Sequence, residues 1–68
     1  MERIHVAVGT QTIDFRASMT VNAVQNIIRE RCVLNGGWLE LDNLVLTDED
    51  TFVAGETYNF VRGIPQGE

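Results

Sequence analysis

The 68-residue chain contains no lysine: its five basic residues are all arginine, against ten acidic residues, and the net charge is −5. A protein that binds nucleic acid needs clustered basic side chains to displace counterions from phosphates. The composition therefore argues against nucleic acid as a partner. The missing lysine is most simply a compositional bias of a short chain. The sharper interpretation is that this domain offers no ε-amine for conjugation to another protein.

Cysteine and histidine are each present once. One cysteine cannot form an internal disulfide, and one histidine cannot build a metal cluster or a His-based triad from this chain alone. Cys32 lies in the apolar stripe of a predicted helix, so we expect it to be a small buried residue; the alternative is a nucleophile, but no histidine is near it in sequence. We predict no catalytic residue, no metal site, no cofactor and no enzymatic activity.

Long apolar runs are also missing. A membrane-spanning helix needs about 20 consecutive apolar residues, and we expect no membrane association. The start of the chain, residues 1–5, has no apolar signal core, so a cytoplasmic or nuclear location is expected. A hydrophobic content of 44% is enough for one compact core, and the length allows a single domain.

Two alternating segments open the chain. Residues 4–8 and 13–16 each alternate apolar and polar side chains, and Gly9-Thr10-Gln11 between them favours a tight antiparallel hairpin. One face of this hairpin is predicted to point into the core, and it carries Ile4, Val6, Val8, Ile13 and Phe15. The other face carries His5, Ala7, Asp14 and Arg16.

A capped amphipathic helix follows the hairpin. Thr20 can accept a hydrogen bond from the backbone two or three residues on. A narrow apolar arc then holds Val21, Val24, Ile28 and Cys32, with Ile27 at its edge; the opposite side holds Asn22, Asn26, Arg29 and Glu30. Asn35-Gly36-Gly37 supplies the glycine stop expected after the last turn.

The second half of the chain predicts three more strands. Residues 38–41 and 44–47 alternate around the polar pair Asp42-Asn43, which indicates a second hairpin. Residues 57–61 form a closing strand, with Tyr58 and Phe60 inward and Asn59 and Val61 outward. The domain is predicted to cover residues 1–63, and residues 64–68 to be a flexible tail or the start of a linker.

This order predicts an α+β domain in which one helix packs across a mixed sheet. At this point residues 3–62 resemble the ubiquitin-like β-grasp superfamily. The helix start Thr20-Val21-x-x-Val24-x-x-x-Ile28 resembles that of ubiquitin, residues 39–43 are similar to its third strand and turn, and residues 58–62 to its last strand. These are core-pattern matches, so they imply a fold more strongly than a function.

Two departures from that pattern bear on function. The loop between Thr47 and Gly55 is several residues shorter than in ubiquitin. Residues 63–68 also contain no terminal Gly-Gly, which conjugated and sulfur-carrier members of the superfamily need for activation at their C-terminus. The tight first hairpin is closer to the sulfur carriers. A modifier or carrier that is activated after processing is therefore kept as the alternative function.

Two further motifs have simpler explanations. Asp48-Glu49-Asp50 lacks the alternating acids and glycine of a calcium loop, which favours a solvated turn. No Lys-Ser/Thr follows Gly36-Gly37, so a turn is favoured over a phosphate site.

Trp38 is the strongest candidate for a binding residue. If Leu39 and Leu41 face the helix, Trp38 and Glu40 face the open side of the sheet. The predicted partner-binding residues are those that share this side, namely Trp38, Val61, Asn59, His5 and Ala7. Their composition is that of a protein-binding patch. The competing interpretation is that Trp38 folds over the sheet edge to cover the core.

In ubiquitin the equivalent face is the main recognition surface. The resemblance places Val61 at one of the apolar positions of that surface and Glu40 at another, so ubiquitin's own receptors are not expected to bind. The expected function is a non-conjugated ubiquitin-like interaction module. It would be the N-terminal domain of a longer protein or a small adaptor, with a protein partner, or a second copy of the chain, on the open face.

Overall fold

The computed structural model describes residues 2–32 and 36–62. Five strands and one helix follow in the order β1 (Arg3–Val8), β2 (Gln11–Arg16), α1 (Val21–Cys32), β3 (Gly37–Leu41), β4 (Leu44–Val45) and β5 (Thr57–Arg62). The predicted α+β order is confirmed. Of the predicted helix stop Asn35-Gly36-Gly37, Asn35 lies outside the described residues, as do the predicted tail at residues 64–68 and the domain boundary at Gly63.

The strands form one mixed sheet in the order β2-β1-β5-β3-β4. The first and last strands lie side by side and parallel, with His5 opposite Thr57 and Ala7 opposite Asn59. The other neighbours are antiparallel. A central parallel pair flanked by two hairpins, with one helix across one face, is the β-grasp arrangement predicted from the sequence.

Positive φ angles shape both hairpin turns. Gly9 adopts φ 62°, at the start of the turn between β1 and β2. Asp42 and Asn43 adopt φ 53° and 68°, as a two-residue turn between twisted antiparallel strands requires. Asn and Asp tolerate this conformation better than other non-glycine residues do, which explains the polar pair in the sequence.

The helix begins at its predicted cap. The Ala23 backbone N–H donates to Oγ1 of Thr20 at 3.1 Å, and the Val24 N–H donates to the Thr20 carbonyl. Val21, Val24 and Ile28 are fully buried against the sheet. Among the described residues no helix is long and apolar enough to cross a membrane.

The core lies between the helix and one face of the sheet. Its buried residues are Ile4, Val6, Val8, Phe15, Val21, Val24, Ile28, Leu39, Phe52, Tyr58 and Phe60. Phe52 comes from the loop before β5, and its ring meets that of Tyr58 edge-on with centroids 5.1 Å apart. The Tyr58 hydroxyl accepts a hydrogen bond from the Val53 N–H at 2.8 Å, so this buried polar group is satisfied.

Three expectations about burial need correction. Cys32 is half-buried rather than buried, because it ends α1 and packs against the rim of the core. Ile13 is also half-buried, on the edge strand β2. Arg29, predicted on the solvated side of the helix, is half-buried: its guanidinium donates to Oδ1 of Asn26 and to the carbonyl of Gly37.

Two residues shape the packing around β3, Gln25 on the helix and Gly37 at the start of the strand. Gln25 is 7% exposed, and its Oε1 accepts a hydrogen bond from the Leu39 N–H at 3.2 Å. Gly37 opens β3 with φ 130°, and a Cβ at this position would overlap the Phe60 ring. Gly37 is therefore part of the strand, and its lack of a side chain gives Phe60 its place in the core.

Candidate protein-binding face

The helix covers one face of the sheet, and we call the other the open face. Within residues 2–32 and 36–62 no second layer covers it. The strand registers align one row of side chains across all five strands, and this row consists of Thr12, Ala7, Asn59, Glu40 and Val45. The predicted candidates lie in this row or in the row on either side of it.

Trp38 lies on the open face, as its alternation with Leu39 predicts. The side chain is 38% exposed, whereas Leu39 is fully buried. The indole Nε1–H donates to Oε2 of Glu40 at 2.8 Å. A hydrogen bond to a carboxylate favours one orientation of the ring, so Trp38 presents an apolar surface with its one polar group already satisfied.

Val61 is the direct neighbour of Trp38 across β3 and β5. It is half-buried, and the two side chains form an apolar pair on the open face. Two residues back along β5, Asn59 is exposed and lies between Glu40 and Ala7. Trp38, Val61, Asn59 and Ala7 therefore form one continuous group.

His5 is separated from Trp38. It lies two rows away along the strands, about 13 Å at about 3.3 Å per residue. Its Nδ1 lies 2.7 Å from Oδ1 of Asp14 on the neighbouring strand, and both side chains are close to half exposed. The predicted set thus divides into a group around Trp38 and a separate residue, His5, which lies beside Asp14 at the far end of the face.

The open face carries side chains suited to non-covalent contact with another molecule. Around Trp38 its side chains are an indole, aliphatic groups, an amide and the hydrogen-bonded carboxylate of Glu40, and the His5–Asp14 pair lies at the far end. The acidic turn at residues 47–50 lies elsewhere, and there Oδ2 of Asp50 accepts a hydrogen bond from the Thr47 N–H at 2.8 Å. Among the described residues no group of three His, Cys, Asp or Glu side chains converges as metal ligands would.

Sequence reasoning missed a second exposed apolar surface. Leu44, Val45 and Val53 are 73%, 54% and 59% exposed at the β4 edge of the sheet. Together with Leu41 and Leu46 they line a hollow of about 200 Å³. One signal was present: the consecutive residues Leu44-Val45-Leu46 cannot all face inward in a strand that alternates with period two.

Comparison with known proteins supports the fold. No protein-family model matches the sequence, and no curated protein does either. Among solved structures, the chain is similar to the C-terminal ubiquitin-like domain of human 2'-5'-oligoadenylate synthetase-like protein. The TM-score is 0.70 over 97% of this chain and 87% of that one, at 13% sequence identity. The protein therefore has the fold of a ubiquitin-like β-grasp domain, and at this identity the likeness extends to the fold alone.

Proposed function

We propose that the protein is a non-conjugated ubiquitin-like interaction module that binds a protein partner through the open face around Trp38. The observation that carries this proposal is the exposed indole, oriented by Glu40 and placed beside Val61 on the side of the sheet away from the helix. A large aromatic side chain that is held in place by one hydrogen bond loses little conformational entropy when a partner covers it.

The composition of the face indicates what the partner supplies. Trp38 and Val61 require apolar contact, and Asn59 offers an amide that can donate and accept hydrogen bonds. Glu40 adds a negative charge beside the indole. The partner surface should therefore be apolar at its centre, with a hydrogen-bonding group or a basic side chain at its rim.

Trp38 also provides the measurement, because it is the only tryptophan of the chain. Affinity capture from cell extract should compare wild type with Trp38→Ala and identify proteins lost with the variant. Each such protein is then purified and titrated against every variant by calorimetry, and the Trp38 emission is recorded in parallel for the proteins that retain Trp38. Binding should shift the emission to shorter wavelength. Loss of a hot-spot side chain costs about 2 kcal/mol, so Trp38→Ala should raise the dissociation constant roughly 30-fold.

Leu44→Ala is the matched control, because Leu44 is more exposed than Trp38 but lies at the β4 edge. It should leave partner binding unchanged. Thermal unfolding of both variants shows whether the fold is intact. If Trp38→Ala and Leu44→Ala bind every captured partner equally well, the open face is not the binding site.

A further inference from the structure

The two outer strands of the sheet, β2 and β4, lie in surroundings that differ in charge. Residues 40–56, which include β4, contain six of the ten acidic residues and no basic residue. Three of the five arginines lie around β2 at the other edge. In a chain with net charge −5, the β4 side is uniformly acidic, whereas the residues that line a depression on the β2 side include three arginines and one carboxylate.

The first surface, which we call the acidic edge, is apolar at its centre. Its exposed aliphatic side chains project beside β4 and are flanked by exposed carboxylates from the adjoining turn and loop. The acidic edge consists of Leu44, Val45 and Val53 with Asp42, Asp48, Glu49 and Asp50. A free strand edge also leaves backbone hydrogen-bonding groups without a strand partner.

The second surface, which we call the arginine groove, is a depression of about 460 Å³ along β2. Half-buried Ile13, Met19 and Ile27 line its floor, and exposed Arg3, Arg16 and Arg31 line its rim. The one carboxylate that lines the groove, Asp14, is already within hydrogen-bonding distance of His5.

The arginine rim works against the stability of the monomer. Arg3 and Arg16 are direct cross-strand partners, and like charges at such positions are destabilising. Within the described part of the chain no carboxylate lies within ion-pair distance of Arg3, Arg16 or Arg31. A carboxylate from another molecule would relieve the like-charge contact between Arg3 and Arg16, to which the described residues contribute no ion pair.

We propose that the protein self-associates head to tail, with the acidic edge of one copy seated in the arginine groove of the next. The occupant is a second copy because the chain itself supplies both complementary surfaces: protruding apolar side chains with acidic flanks, and an apolar groove with a basic rim. The two surfaces lie at opposite edges of the sheet, so each copy uses both, and the assembly extends instead of closing as a two-fold dimer.

Net repulsion between acidic copies does not prevent this contact. At about 0.15 M salt the Debye length is about 8 Å, so charges far from the contact are largely screened, whereas pairs inside it are screened much less. The contact would join one short strand edge to one groove, so we expect it to be of the size of transient interfaces, which bury less than about 1,200 Å². Association should therefore be weak and visible only at high concentration.

Sedimentation analysis from about 20 µM to 1 mM tests the proposal. The mean mass of wild type should rise continuously from 7.6 kDa, without a plateau at the dimer. Arg16→Glu reverses a charge on the groove rim, and Leu44→Arg adds a positive charge at the acidic edge. Each should weaken association at least about tenfold, because each places like charges opposite one another.

Mixing the two variants is the decisive step. The intact acidic edge of Arg16→Glu should bind the intact groove of Leu44→Arg, and the two altered surfaces now carry opposite charges, so the mixture should regain the association that each variant alone has lost. Arg62→Glu and Asn22→Arg, which make matched charge changes at exposed positions outside both surfaces, should associate like wild type. Trp38→Ala should also do so, which separates this proposal from the function of the open face.

Three outcomes would overturn the proposal. Wild type could remain at 7.6 kDa up to 1 mM, which would show that the two surfaces do not bind each other and bind other proteins or nothing. The mass could reach a plateau at a dimer, which indicates a two-fold interface. Both variants could be monomeric and fail to associate when mixed, although circular dichroism shows that each is folded.

Discussion

Phe60 and Val61 are consecutive residues of β5 and show how differently the two faces of the sheet are used. Phe60 is 6% exposed beneath the helix, whereas Val61 lies half-buried beside Trp38 on the open face. Alternation sends neighbouring side chains to opposite sides. One strand therefore supplies stability on one face and a contact surface on the other, and substitutions one residue apart should affect different properties.

The largest effect is expected from Phe60→Ala. Removing a buried aromatic ring costs about 3–5 kcal/mol, from lost burial and from the cavity that remains. A domain of this size has little stability to spare, so the melting temperature should fall by at least about 12 °C. Thermal unfolding followed by circular dichroism measures the change. A loss below about 1 kcal/mol would contradict the division between the faces.

Gly37→Ala tests the packing of the core face from β3, the strand next to β5. Its Cβ would meet the Phe60 ring and would sit on a backbone with φ 130°, so overpacking and strain together should cost about 2–4 kcal/mol. Gly36→Ala is the matched control, because nothing lies within 4 Å of a Cβ at that position. Chemical denaturation of both variants should show a large effect for Gly37→Ala and little change for Gly36→Ala.

Gln25→Leu tests the polar contact between helix and sheet. The substitution removes the acceptor of the buried Leu39 N–H, and an unsatisfied buried donor costs about 1–3 kcal/mol. Hydrogen exchange at the Leu39 amide should become faster as the helix loosens from β3. Asn22→Leu, on the exposed side of α1, should change neither stability nor exchange. Unchanged Leu39 exchange in Gln25→Leu would show that the contact does not hold the helix.

The smallest effect on stability is expected from Trp38→Ala. The indole is 38% exposed, and its hydrogen bond to Glu40 lies on the surface, so the free energy of unfolding should change by less than about 1 kcal/mol. The same thermal measurement as for Phe60→Ala gives the comparison. If the two variants unfold at similar temperatures, Trp38 belongs to the core and the open face loses its central residue.

Local chemistry explains which features could be predicted from the sequence. Thr20 caps the helix, and Asp42-Asn43 forms the second turn, because each depends on interactions within a few residues. The two-residue period likewise placed Trp38 and Val61 on one face. The two-part division of the predicted site, with His5 distant from Trp38, could not be predicted, because it depends on the register between strands far apart in sequence.

The sequence by itself determined the elements, their order and the side chains that point inward. The reason is that apolar periodicity and helix caps depend on residues that are close together in the chain. Only the tertiary structure decided that Gln25 hydrogen-bonds Leu39, that Gly37 makes room for Phe60, and that Cys32 lies at the rim of the core. It also decided the segregation of charge between the β4 and β2 edges. The physical reason is that these contacts join residues from different elements, whose positions are fixed only when the sheet is assembled and the helix packs on it.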